Sequence, residues 1–74
     1  MNRPLLVKHL ASAKRHVEEG QVLVRSQQDR IYDLGKSGHD TSLAELVLAR
    51  LQASQTMRIA DSERLENLLA NLGS

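Results

Sequence analysis

The sequence predicts an all-α protein, an antiparallel two-helix coiled-coil hairpin that pairs with a second copy into a four-helix bundle. Two stretches of about 30 residues repeat their apolar positions at alternating spacings of three and four, which keeps one narrow stripe on one side of each helix. A glycine-containing segment separates the two stretches, and only 1% of the chain is aromatic. A short loop between two such helices makes a hairpin.

The first helix is expected to span about residues 4–34, because Pro4 suits the first position of a helix. Gly35 is expected to end it in a left-handed conformation, within a turn over residues 35–41. Gly20 lies in the middle of the helix, and we interpret it as room for a large side chain of the other helix. The predicted stripe consists of Leu6, Leu10, Ala13, Val17, Gly20, Val24, Gln27, Ile31 and Leu34.

The second helix is expected to span about residues 42–72. Asp40, Thr41 and Ser42 are all favoured N-cap residues, and Ser42 with Glu45 has the spacing of a capping box. Pairing the two stripes around the turn places Gly20 opposite Arg58, in a polar middle layer. The predicted stripe consists of Ala44, Val47, Leu51, Ser54, Arg58, Asp61, Leu65, Leu68 and Leu72.

A second apolar set lies off these stripes. Its members are Leu5, Leu23, Leu46, Leu48, Ala53, Met57, Ile59, Ala60 and Leu69. One hairpin cannot cover both sets, whereas two hairpins in a four-helix bundle bury the second set as well. The sequence therefore predicts self-association through Leu23, Leu46, Met57 and Ile59. The alternative interpretation is a scatter of ordinary surface aliphatic residues.

Length and composition restrict the class of protein. Residues 1–74 make a single domain, and the chain has no cysteine for a disulfide or thiol chemistry, which suits a reducing compartment. No apolar run approaches the roughly 20 residues of a membrane span, and the apolar stretch near the start is too short for a signal peptide. We therefore expect a cytoplasmic protein. The net charge of +1 favours no class of charged partner.

No motif predicts an enzyme, a cofactor or a metal. His9 and His16 are seven residues apart and share a helix face, but the second helix contains no histidine to complete a metal site. His39, Asp40 and Thr41 look like part of a catalytic set, yet no activated nucleophile or oxyanion-hole motif accompanies them. We interpret these three residues as turn-closing and helix-capping groups.

The beginning of the chain is basic. Its first 17 residues contain no acid and carry four cations, Arg3, Lys8, Lys14 and Arg15. They predict the alternative function, a small regulator that binds nucleic acid or an anionic surface. The favoured interpretation needs no partner, because Glu18 and Glu19 follow two of these cations at i,i+4 and the others lie near the end of the second helix.

Four short strings occur in one order along the chain: His9-Leu10-Ala11, Arg15-His16-Val17-Glu18-Glu19-Gly20, Gly38-His39-Asp40-Thr41 and Ser54-Gln55. Together they resemble the pattern RHVxEG, GHDT and a following glutamine of small uncharacterised bacterial helical-hairpin proteins. The resemblance covers roughly residues 9–65. It implies a short stand-alone cytoplasmic protein of unknown function and supplies no active site.

The function predicted from the sequence is a non-enzymatic, self-associating helical hairpin that acts as a protein–protein interaction or adaptor module. The expected partners are a second copy of the chain, with a dimer favoured, and a further protein. Nucleic acid is not the favoured partner, and no membrane span is expected.

Overall fold

The computed structural model describes residues 2–73, which form two helices packed against each other as a hairpin. Helix α1 comprises Arg3–Lys36 and helix α2 comprises Ser42–Gly73, and the described residues contain no strand. The Cα atoms extend over 56 × 14 × 14 Å with a radius of gyration of 16.8 Å. A compact chain of this length would have a radius of about 11 Å. The molecule is a rod only two helices wide, so the prediction of an all-helical hairpin is confirmed.

Helix α1 begins one residue earlier than predicted and ends later. The Asn2 side chain caps it by accepting a hydrogen bond from the Leu5 N–H at 3.3 Å. At its other end, the carbonyl of Asp33 accepts from both the N–H of Ser37, at 3.1 Å, and its hydroxyl, at 3.0 Å. These bonds satisfy the last turn while the helix continues through Gly35 to Lys36, so the predicted end at Gly35 is wrong.

The left-handed residue of the turn is Gly38, with φ +78°. An L side chain is strained at this φ, and glycine is not. The conformation brings the N–H of His39 to the carbonyl of Leu34 at 2.9 Å. The chain therefore reverses three residues later than the glycine that the sequence analysis chose.

Asp40 caps helix α2. Its carboxylate accepts hydrogen bonds from the hydroxyl of Ser42 at 2.7 Å and from the N–H of Ser42 at 2.9 Å. These bonds, from the hydroxyl first and then the amide, favour the ionised form and hold the pKa of Asp40 below its usual 3.8. The Ser42 hydroxyl is turned towards Asp40, and the N–H of Glu45 donates to the carbonyl of Thr41 at 2.9 Å rather than closing the predicted capping box.

The stripe predicted for α1 is confirmed at every position. Leu6, Ala13 and Gly20 are buried, and Leu6 is only 2% exposed. The other six residues are half-buried against α2: Leu10, Val17, Val24, Gln27, Ile31 and Leu34.

The stripe predicted for α2 is wrong at four of its nine positions. Ala44 is buried as predicted, and the half-buried residues of the predicted stripe are Leu51, Arg58, Asp61 and Leu65. The positions between them are taken by the following neighbours of the predicted residues, so the observed seam is Ala44, Leu48, Leu51, Gln55, Arg58, Ser62, Leu65 and Leu69. Four residues assigned to the stripe are exposed instead: Val47, Ser54, Leu68 and Leu72.

The reason for this shift lies in the middle of the seam, where Gln55 fills the space left by Gly20. A Cβ built on Gly20 would lie 1.8 Å from Oε1 of Gln55 and 3.0 Å from Nη1 of Arg58. The amide Nε2 of Gln55 donates to the carbonyl of Val17 at 2.7 Å. Gln55, not Arg58, is therefore the closest neighbour of Gly20, and the predicted pairing of Gly20 with Arg58 is correct only for the tip of the guanidinium.

Replacing Gly20 by Ala tests this fit. In a helix interior the change alone favours folding by about 1 kcal/mol, but here it expels the buried Gln55 amide, so we expect a lower melting temperature. In a Gln55→Ala background the same change should raise the melting temperature, since only the tip of the Arg58 guanidinium, at 3.0 Å, then lies close to the added Cβ. Gly35→Ala is the matched control, because the nearest side-chain atom there is Cγ2 of Thr41 at 3.9 Å. Stabilisation by Gly20→Ala in both backgrounds would contradict the fit.

The cap at Asp40 predicts an acid-sensitive contribution to stability. Because folding lowers the pKa of Asp40, this contribution is present above the usual value of 3.8 and is lost as the pH falls through the folded pKa. We expect the Asp40→Asn protein to lose less stability than the wild-type protein as the pH falls below that value. Thermal unfolding between pH 7 and pH 2 measures this difference. Asp29→Asn, an exposed change within α1, is the control. Equal acid sensitivity in both variants would contradict this role.

Candidate functional site

The two long edges of the hairpin differ in character. One edge, which we call the apolar flank, carries six exposed aliphatic side chains: Leu5, Leu23, Leu43, Val47, Met57 and Leu68. The spacing places them together, because Leu5 and Leu23 are five helical turns apart in α1. In α2, Leu43 and Met57 are two heptads apart and Val47 and Leu68 three heptads apart, in two neighbouring rows on the same side of the helix. Met57 and Leu43 are 74% and 73% exposed.

Grooves along this edge show that both helices contribute to it. Arg58 lines one groove with Leu23 and His16 of α1, and another with Met57 and Arg64 of α2. Towards the turn, Leu43 and Val47 share a groove with Arg30 and Leu34 of α1. The apolar flank is therefore one continuous edge, with charged residues between its aliphatic ones.

The opposite edge, which we call the polar flank, is mostly amide and charge. Its central groove is lined by Gln21, Arg25, Gln28, Gln52, Thr56 and parts of the seam. Lys14 of α1 and Glu66 of α2 form a salt bridge across this edge, with 3.2 Å between nitrogen and oxygen. Ile59 precedes Glu66 by one heptad and so lies on this edge as well.

The structure brings together two of the four residues predicted for self-association. Leu23 and Met57 lie on the apolar flank, whereas Ile59 lies on the polar flank. Leu46 is 51% exposed and, by its heptad position, lies on the outer face of α2, away from α1. Two further members of the predicted second set, Leu48 and Leu69, are half-buried within the hairpin itself.

Sequence reasoning missed Leu43, Val47 and Leu68 as flank residues. The signal for them was present, because the row of Val47 and Leu68 runs beside the row of Leu48 and Leu69, one residue further on. One neighbouring helix cannot cover both of these apolar rows of α2. The row of Leu48 and Leu69 packs in the seam, and the row of Val47 and Leu68 faces outwards.

A small polar cluster lies under the middle of the apolar flank. His16, Glu19, Gly20, Leu23 and Arg58 line a shallow groove. Within the described residues, Nη1 of Arg58 and Oε1 of Gln55 are buried without a hydrogen-bond partner. An unpaired buried polar atom is costly, and here the two atoms belong to the polar layer beside Gly20 in the middle of the seam.

The histidines lie in two separate parts of the hairpin. His9 and His16 share the side of α1 next to the apolar flank, while His39 lines a groove beside the turn with Asp33 and Ser37. Among residues 2–73, no group of three or more metal-binding side chains lies close enough to hold an ion. Asp40 acts as a cap, as described above.

The four basic residues near the beginning of α1 differ in their contacts. Lys14 pairs with Glu66 of the other helix and not with Glu18. The side chain of Arg3 reaches the end of α2, where its Nη1 lies 3.7 Å from a Cβ built on Gly73. These two cations thus have neighbours within the hairpin, and Lys8 and Arg15 are exposed.

Neither helix, over residues 2–73, is long and apolar enough to cross a membrane. Comparison with models of known protein families, with curated proteins and with solved structures finds no match to this chain. Its function is therefore inferred from its own residues.

Proposed function

We propose that the protein is a non-enzymatic helical hairpin that self-associates into a dimeric four-helix bundle and acts as a protein–protein interaction or adaptor module. The observation that carries this proposal is the apolar flank, a continuous exposed edge formed by both helices. Such an edge in water is unfavourable, and a second hairpin covers it with ordinary helix packing.

The thinness of the hairpin's own core supports the proposal. In residues 2–73, the buried hydrophobic side chains are Leu6, Ala13 and Ala44. Two of these are alanines, which contribute little apolar area. Long helices in proteins owe most of their stability to the apolar area that tertiary packing buries, so a second layer of helices would supply what this seam lacks.

The exposed area of the chain supports the same conclusion. A compact monomer of 8.2 kDa would expose about 4,500 Å², whereas this chain exposes 5636 Å². The excess, about 1,100 Å², exceeds the roughly 800 Å² that one partner contributes to a typical stable interface. One interface along an edge of the rod is therefore enough to remove the excess.

In such a dimer, the polar flank and the outer helix faces stay open to water. The row of glutamines with Arg25 offers donors and acceptors but little apolar area, which suits an exchangeable contact with another protein. The apolar flank would thus join the two copies, and the polar flank would contact the further partner.

The proposal is tested by introducing a charge on the apolar flank of each helix in turn. Leu23→Asp and Met57→Asp are expected to shift the solution mass from twice 8.2 kDa towards 8.2 kDa and to lower helicity, because a carboxylate on the apolar flank would lose its hydration between the two copies. Sedimentation equilibrium and circular dichroism over a range of concentrations measure both effects. Val22→Asp is the matched control, since Val22 is the sequence neighbour of Leu23 and is 62% exposed. A wild-type protein that stays folded and monomeric at all concentrations would contradict self-association.

A further inference from the structure

We propose that the second copy docks antiparallel on the apolar flank, with the turn of each hairpin beside the open end of the other and a two-fold axis passing next to Met57. This inference rests on the proposed self-association and adds its surface, its direction and its register. The occupant of the apolar flank is thus a second copy of this chain.

The first argument is the mirror-like order of aliphatic residues along α2. Val47 lies ten residues before Met57 and Leu68 lies eleven after it. A two-fold axis at Met57 therefore places Val47 of each copy against Leu68 of the other, twice. Such reciprocal contacts define an isologous interface.

The second argument comes from α1 at the same height along the rod. Because Gly20 lies opposite Gln55 and the helices run in opposite directions, the level of Met57 falls between His16 and Glu19 of α1. The same rotation therefore brings His16 of one copy opposite Glu19 of the other, twice. A histidine N–H and a carboxylate are complementary, and both residues line the groove that contains Arg58.

The opposite direction, with both turns at one end, would place α2 of one copy against α1 of the other at the same height. Val47 and Leu68 would then each face α1 of the second copy instead of facing each other. The order of aliphatic residues along α2 is matched only in the antiparallel direction.

Cysteine crosslinking tests the direction and the register, since the chain has no cysteine of its own. Met57→Cys is expected to form a disulfide-linked species of twice 8.2 kDa under mild oxidation, because it meets its own copy at the axis. Val47→Cys and Leu68→Cys are each expected to stay unlinked, and their mixture to give the linked species. Within one chain these two positions are 21 residues apart, about 31 Å along the helix, so the link can only join two chains.

Ala53→Cys, on the exposed outer face of α2, is the matched control and is expected to stay unlinked. Because the opposite direction places α2 against α1, a dimeric protein in which neither Met57→Cys nor the mixture of Val47→Cys and Leu68→Cys is linked would overturn the antiparallel direction. Linking of Val47→Cys alone or Leu68→Cys alone, with none added by mixing, would overturn the register. Linking of the control in preference to Met57→Cys would overturn the apolar flank as the interface. A monomeric wild-type protein in sedimentation would instead reject the proposed function, so the two failures are distinguishable.

Discussion

The insertion of the Gln55 side chain into the space beside Gly20 is the contact on which the rest of the structure depends. A heptad seam made only of aliphatic residues tolerates sliding of one helix along the other by whole heptads. Gln55 removes that freedom, because its amide bonds the Val17 carbonyl at 2.7 Å and fits only where a side chain is missing. A slip of one heptad would place Gln55 against Ala13 or Gln27. A polar residue in a coiled-coil seam fixes register in this way at some loss of stability.

The same contact decides which side chains face outwards. With Gln55 in the seam, the heptad repeat carries Leu48, Ser62 and Leu69 in with it. The adjacent row of Val47 and Leu68 is then turned to the edge, where it joins Leu23 and the other members of the apolar flank. The internal register and the outer surface are therefore not independent properties. Gln27 adds a second amide contact across the same seam, because its Nε2 donates to the carbonyl of Ala44 at 2.9 Å.

How far the sequence predicts the structure differs between the two helices. In α1 a single apolar row exists, so every residue from Leu6 to Leu34 in the predicted stripe faces α2. In α2 two neighbouring rows are apolar, and periodicity alone does not choose between them. The choice is made by side-chain length, because Gln55 reaches the space beside Gly20 and Ser54 does not.

The turn and the apolar flank show the same limit. The sequence alone does not distinguish Gly35 from Gly38 as the residue at which the chain reverses. Helix α1 extends past Gly35 with the two hydrogen bonds that Ser37 donates to the Asp33 carbonyl. Leu23 and Met57 could be named from their exclusion from the stripes. Ile59 lies on the opposite edge from Met57, and this could not be predicted without knowing how α2 is rotated about its axis. That rotation depends on the contact of Gln55 with Val17, two residues 38 positions apart in the sequence.

The position of Leu6 bears on the order in which the hairpin forms. The contacts beside Gly38 join residues close in sequence, and those further along the rod join residues ever more distant, so closure starts at the turn and proceeds towards the free ends. The most deeply buried large side chain of the seam, Leu6, lies at the end that closes last. Helix ends usually fray, yet here the burial of Leu6 holds the beginning of α1 against the end of α2. The burial of Leu6 therefore keeps the open end of the hairpin closed.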